Sequence, residues 1–192
     1  MEPARRIQWT ADEYLARELR SAAKHEFLDG EIYAMAGATL RHNTIAANVI
    51  FLITGLVRGR PCRAFTSDQR IHVAATGLYT YADAGVLCGD ARMHPNDALT
   101  LLNPTLLVEV LSPSTESYDR GEKLQHYREI PSLREVLHVS TRERLVMHHR
   151  RLDTGQWVLT ERRDGAMELP ALGGEVRVDD LYDKVDFERP DA

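Results

Sequence analysis

Residues Leu106–Thr115 read LLVEVLSPST, and the fold turns on how Glu109 is read within them. The segment from Pro104 to Leu111 is apolar on both faces of an extended chain, the pattern of a strand in the centre of a sheet. A carboxylate there needs a partner or a proton, because an unpaired buried charge is strongly unfavourable. Two accounts stay open at this point: a structural ion pair or protonated core carboxyl, or a ligand for a cation.

Working outward, Asp119 with Glu122 can cap a helix that runs to Ile130 and stops at Pro131, and Glu135 to Ser140 (EVLHVS) gives the next strand. This reading puts Lys123 in the first turn of that helix. Helical side chains lean toward the N-terminus, so its ammonium can reach back toward the SPST loop and Glu109. A lysine set against the helix dipole asks for a nearby anion. Ser112, Ser114 and Thr115 either cap and turn the chain or offer hydroxyls to a phosphate oxygen.

On the other side, Tyr79 to Cys88 (YTYADAGVLC) and Arg63 to Val73 (RAFTSDQRIHV) read as strands joined through Thr76-Gly77. Asp83 then shares a face with Tyr81 and Gly85, and if its strand neighbours that of Glu109 the two carboxylates converge, with the small Ala82, Ala84 and Gly85 leaving room. Oxygen ligands of this kind suit Mg²⁺ or Mn²⁺. Asp83 alone reads more simply as a turn or strand-edge aspartate. Arg41 to Arg58 carries Ile45, Val49, Leu52, Ile53 and Leu56 at helical spacing. Asp29-Gly30 inside HEFLDGEIYAM marks a β-hairpin, and Thr10 with Glu13 resembles a capping box opening a first helix. Arg144 to His149 reads as a strand with His148 and His149 at the surface, and the remainder as a terminal hairpin, a short helix and a flexible tail. From Arg41 onward the order is helix, three strands, helix, strand. The expected fold class is α/β with a mixed central sheet, preceded by an N-terminal helix and hairpin.

Composition limits the classes of function. With 192 residues, 43% hydrophobic and 28% charged, the chain suits one globular domain rather than disorder. The net charge of −5 is not the footprint of a general nucleic-acid binder, although arginines gather at Arg58, Arg60 and Arg63 and again at Arg142, Arg144, Arg150 and Arg151. Cys62 and Cys88 have no metal-ligand spacing and are read as free thiols of a reducing, cytoplasmic protein. The opening residues lack an apolar signal core, and the Val49–Ile53 run is too short for a membrane span. No phosphate loop, nucleophile elbow or CxxC is present, which argues against kinases, serine hydrolases and zinc enzymes.

The order of elements, with Asp on the second strand and Glu on the third, resembles the PD-(D/E)XK restriction-endonuclease-like superfamily. More specifically, EFLDGEIYAMAG (26–37), RHN (41–43), RGRPCR (58–63), SDQRI (67–71), YADAGVLCG (81–89) and VEVLSPSTESYDRGEKLQHYREIPSLRE (108–135) are similar to the bacterial Uma-two type of restriction-endonuclease family, over about residues 10–185. The resemblance implies a Mg²⁺- or Mn²⁺-dependent nuclease with Asp83 and Glu109 as metal ligands and Lys123 as the catalytic cation, acting on nucleic acid, DNA foremost, as a homodimer. Two positions depart from the superfamily motif. Ala82 precedes Asp83 where proline is usual, and Leu111 stands where the lysine is usual, so that lysine maps onto Lys123 with Asp119 beside it. Glu31 and Asp68, then Glu26 and His42, are supplementary candidates. The rival expectations are a non-catalytic module that keeps Glu109 and Lys123 as an ion pair while binding nucleic acid or a protein, and an accessory enzyme acting on RNA.

Overall fold

The structure, a computed structural model, describes residues 8–188. The N-terminal residues 1–7 and the end of the expected flexible tail, 189–192, lie outside the described residues. Helix α1 (Ala11–Glu18) opens with the Thr10 capping box, in which the Thr10 hydroxyl accepts from the Glu13 N–H and the Glu13 carboxylate accepts from the Thr10 N–H. Strands β1 (His25–Leu28) and β2 (Glu31–Ala34) form the hairpin, with Asp29 and Gly30 both at positive φ in the turn. Helix α2 (Leu40–Val57) buries Ile45, Val49, Ile53 and Val57 as one stripe. It is the one helix among the described residues long and apolar enough to cross a membrane, and its buried stripe packs on the protein core.

Two of the three expected strands are in fact broken into pieces that serve two sheets. The Arg63–Val73 segment divides at residues 67–69 into β3 (Cys62–Thr66) and β4 (Arg70–Val73), and Tyr79–Cys88 divides at Ala82-Asp83 into β5 (Leu78–Tyr81) and β6 (Ala84–Cys88). Residues 89–103, which carry no readable pattern in sequence, add β7 (Met93–His94) and β8 (Asp97–Leu101). The central strand is β9 (Leu106–Leu111), followed by β10 (Glu135–Ser140), β11 (Val146–Arg151) and β12 (Trp157–Arg162). One sheet has the order β2-β1-β5-β4-β8-β7 and the other β12-β11-β10-β9-β6-β3. Each mixes parallel and antiparallel pairs, with β4–β8 and β9–β10 parallel. Strands β13 (Ala166–Leu169) and β14 (Gly174–Arg177) then make the terminal hairpin, and α5 (Val178–Leu181) the short helix. In the tail, Phe187 packs against the Tyr182 ring.

Between β9 and β10 the chain forms a helical segment made of α3 (Glu116–Tyr118), a π-helical turn (Asp119–Lys123) and α4 (Leu124–Arg128). It starts at Glu116, earlier than its sequence suggests, so Lys123 closes the π turn instead of lying in the first turn. The second sheet is covered on both faces. Leu106, Val108 and Val110 of β9 face α2, whereas Leu107 faces α4 and the Ile71, Val73 and Leu78 side chains of the first sheet. Burial on two faces explains why β9 reads as a continuous apolar run.

Three further expectations are revised. Cys62 and Cys88 are direct cross-strand partners on β3 and β6, and they form a disulfide with Cα atoms 3.9 Å apart. Strand pairing supplies the proximity that sequence spacing could not show. His148 and His149 are buried on opposite faces of β11, His148 with Nε2 3.3 Å from the Glu135 carboxylate of β10 and His149 against the α4 side. The space at Gly85 is taken by Phe65, since a Cβ there would overlap the Phe65 ring. That glycine serves the packing of β3 on β6 and not the room of a ligand, while the Asp83 side chain itself stays 20% exposed.

Candidate functional site

Asp83 occupies the bend where the chain leaves β5 in the first sheet for β6 in the second. The β6–β9 register pairs Ala84 with Val108, which sets Asp83 beside Glu109 on the central strand. The Val110 N–H donates to Asp83 Oδ2 at 2.7 Å, replacing a ladder bond that the bend removes. His42, in the first turn of α2, brings Nε2 to 3.3 Å from the same oxygen. Burial disfavours a charged imidazole, but the hydrogen bond and charge of Asp83, with the Val110 backbone and Asp119, outweigh it and raise the His42 pKa.

Glu109 is 4% exposed. Its Oε1 accepts from Tyr127 Oη at 2.5 Å and lies 3.1 Å from Lys123 Nζ. The same ammonium is 3.0 Å from Glu26 Oε1 and 3.7 Å from Asp119 Oδ1, and it donates to the Tyr81 carbonyl at 3.1 Å. Glu26, on β1, is completed by the hydroxyls of Thr80 and Tyr118. The wide π turn lets Tyr118 and Lys123 reach the two oxygens of this one carboxylate from successive turns.

Burial raises the Glu109 pKa well above the carboxylate range. Lys123 opposes the rise, and the charges of Asp119 and Asp83 add to it. Asp119 is raised as well, by burial first, with Glu26 and Asp83 contributing. For Lys123, burial works against the charge, but Glu109, Tyr127, Glu26 and Asp119 hold the ammonium protonated. The cluster therefore sets Glu26, Asp83, Glu109 and Asp119 against Lys123 and His42, an excess of acid that a further cation would relieve.

The donor set is oxygen-rich and suits a hard divalent ion. Among the described residues no three His, Cys, Asp or Glu side chains form a ready metal cage. Mg²⁺ does not require one, since one or two carboxylates with water and substrate phosphate suffice.

Of the residues singled out in the sequence, Asp83, Glu109, Lys123, Asp119 and His42 come together, with Glu26. Glu31 and Asp68 do not join them. Glu31 starts β2 and accepts from the Tyr33 hydroxyl, while Asp68 lies in the β3–β4 turn, 84% exposed, paired with Lys24 at 2.6 Å. Glu26 thus belongs to the cluster that Glu31 was favoured for, because the β1 pairing turns Glu26 inward beside β5. Tyr118, Tyr127 and Thr80 were not singled out. The spacing of Tyr118, Lys123 and Tyr127 along one helical face is the signal that could have found the tyrosines.

Comparison with known proteins agrees with this architecture. The crystal structure of "a putative nuclease belonging to DUF820" from Anabaena variabilis ATCC 29413 superposes with a TM-score of 0.73 over 90% of this chain and 96% of that one, at 18% identity, and so shares the fold. Two proteins of Synechocystis sp. (strain ATCC 27184 / PCC 6803 / Kazusa), both called uncharacterized, are 36% identical. The protein slr1290 matches over 172 residues, 89% of this chain and 90% of its own length; sll1609 matches over 152 residues, 79% and 86%. A family model described as "Putative restriction endonuclease" matches residues 11–178, and with that span the chain belongs to the Uma2 family.

Proposed function

We propose that this protein is a Mg²⁺- or Mn²⁺-dependent nuclease that hydrolyses phosphodiester bonds, DNA foremost, at the Asp83–Glu109–Lys123 cluster. The observation that carries the reading is the surplus of carboxylates around one buried ammonium. Asp83 and Glu109 would hold the ion, which supplies Lewis acidity and charge neutralisation when bound. Lys123, kept protonated by its neighbours, places a fixed positive charge where a phosphoryl group gains negative charge. Glu26, Asp119 and the Tyr81 carbonyl hold that ammonium in place, and the Tyr127 hydroxyl orients Glu109. His42 steadies Asp83. Superfamily resemblance adds the expectation of a homodimer, for which the edge strand β12, with Val158 exposed, offers a surface. The cytoplasmic address loses one of its supports with the Cys62–Cys88 bond.

The second reading is a restriction-like module held by a structural ion pair, favoured by the engagement of Lys123 with three acidic side chains. Cleavage of labelled single- and double-stranded DNA and RNA with Mn²⁺ separates the two. Activity lost in Glu109→Ala and Lys123→Ala proteins that keep their circular dichroism supports the nuclease. No cleavage of any substrate by the wild type, with Glu109→Ala markedly destabilised, leaves the module.

A further inference from the structure

The same helical segment covers a second place on this face of the sheet, across β10 from Glu109. There Arg120, Gln125 and Arg128, with the apolar Leu124, stand over Met147 and His149 of β11 and Leu159 of β12, enclosing a cleft of about 240 Å³. The step from the carboxylate cluster is short, because Glu109 pairs with His138 on β10, and His138 pairs with Met147 on β11. His138 is fully buried with neither ring nitrogen hydrogen-bonded, and its ring lies 5.1 Å from that of His149. It separates the two places.

The lining of this cleft includes no acid. Arg120 is partly occupied by Glu116 at 2.9 Å, and Glu161 lies on the same strand face as Leu159, opposite Met147. Arg128 is different: among the described residues it has no ion pair, its buried Nε lacks a hydrogen-bond partner, and its guanidinium carbon lies 5.7 Å from the Trp157 ring. His149, 7% exposed, also has a buried Nδ1 without a partner. The unmatched Arg128 Nε–H calls for an acceptor, and a bound anion is one; His149 Nδ1 adds a second donor in its Nδ1–H tautomer. Arg151 adds to the positive field, with its guanidinium carbon 4.9 Å from the centre of the Trp157 ring. In a chain of net charge −5, this is a local reversal of sign beside the carboxylates.

We propose that this cleft is an anion site, separate from the carboxylate cluster, that takes a phosphate group of a nucleotide. Arg128 and His149 meet the phosphate oxygens, for which the guanidinium fork is suited, Arg120 and Gln125 close the rim, and Leu124, Met147 and Leu159 receive the less polar part of the nucleotide. The source of the phosphate, a free mononucleotide or the backbone of a strand, rests on the nuclease reading. The anion chemistry of the cleft does not.

The test uses Trp157 emission in a full-length Trp9→Phe protein, without metal, titrated with adenosine 5′-monophosphate and with a short oligonucleotide that has no terminal phosphate. A saturable change is expected that weakens at least tenfold in Arg128→Gln and in Gln125→Glu, an exposed position where a new acid faces the cleft. Glu109→Gln should stay within twofold. Saturation by the mononucleotide identifies a free-nucleotide site; a tenfold loss seen only with the oligonucleotide identifies a strand contact. Equal affinity in wild type and both cleft variants overturns the proposal, as does the absence of a saturable response to either probe. Cleavage assays on the same proteins keep the two readings apart. Cleft-dependent binding by a protein that cleaves nothing retains the site and removes the nuclease; cleavage with no cleft effect removes the site alone.

Discussion

Lys123 Nζ lies 3.1 Å from Glu109 Oε1, and both side chains are almost fully buried, at 4% and 5% exposure. Removing one partner from such a pair leaves uncompensated charge, which costs about 3–5 kcal/mol. Lys123→Met should therefore lower unfolding free energy in urea by that order, and adding Glu109→Leu should recover part of it. A loss under about 1 kcal/mol for the single variant would show that the ammonium does little to hold the cluster together.

Glu109 has a raised proton affinity because burial and the charges of Asp119 and Asp83 outweigh Lys123. A divalent ion arriving at the cluster competes with protons for that carboxylate. Calorimetry with Mn²⁺ in buffers of different ionisation enthalpy should then give buffer-dependent heats, and Glu109→Gln should remove the dependence. Buffer-independent heats in the wild type would mean that Glu109 is already ionised before the metal binds.

His42 owes its raised pKa to Asp83, whose hydrogen bond and charge overcome the effect of burial. In Asp83→Asn the amide oxygen can still accept from the Val110 N–H, so the bend between β5 and β6 should persist. The His42 resonance, followed by NMR against pH, should titrate above the usual histidine value of about 6.5 in the wild type and clearly lower in the variant. An unchanged midpoint would detach His42 from Asp83.

His138 and His149 are held near 3 and 4, first by burial and then by neighbouring positive groups. Their folded pKa values lie below the unfolded value, so the unfolded chain takes up more protons. The stability they contribute is present above about pH 6.5 and is lost as pH falls toward the folded values. For the fully buried His138 the loss is on the order of 3–5 kcal/mol. Thermal melts of His138→Leu should be flatter than wild type across this interval, and parallel curves would refute the assignment.

The Cys62–Cys88 bond closes a loop of sequence separation 26. A cross-link of that span stabilises by about 3 kcal/mol in the chain-entropy model. Paired Cys62→Ser and Cys88→Ser substitutions should lower the melting temperature under oxidising conditions and abolish any effect of dithiothreitol. Two reactive thiols in unreduced, denatured wild type would instead mean that the bond does not form.

Local signals in the sequence were reliable where a few adjacent residues decide the outcome. Thr10 and Glu13 form their box, Asp29-Gly30 turns its hairpin, the Ile45–Val49–Ile53 stripe is buried, and Glu135–Ser140 is a strand from end to end. What escaped depends on which strand lies beside which. Alternation along Tyr79–Cys88 gives no sign that the chain changes sheets at Asp83, and nothing in the spacing of Cys62 and Cys88 places them opposite one another. Glu26 ranked behind Glu31 for the same reason: the two are near neighbours in sequence, and only the pairing of β1 with both β2 and β5 turns Glu26 toward Lys123. Lys123 itself reaches the cluster from a π turn, which the expected capping pattern did not contain.

The ammonium of Lys123 joins Glu26 of the first sheet to Glu109 of the second, while Asp83 marks the place where the chain passes between them. The cluster is thus a fastener between two sheets as well as a group of reactive side chains. A ligand that draws Glu109 away from the ammonium would unclasp it, and amide exchange in β1 and β9 should quicken together although the two strands are never hydrogen-bonded to each other. On this view the opening of the protein is set by occupancy of its most buried charges.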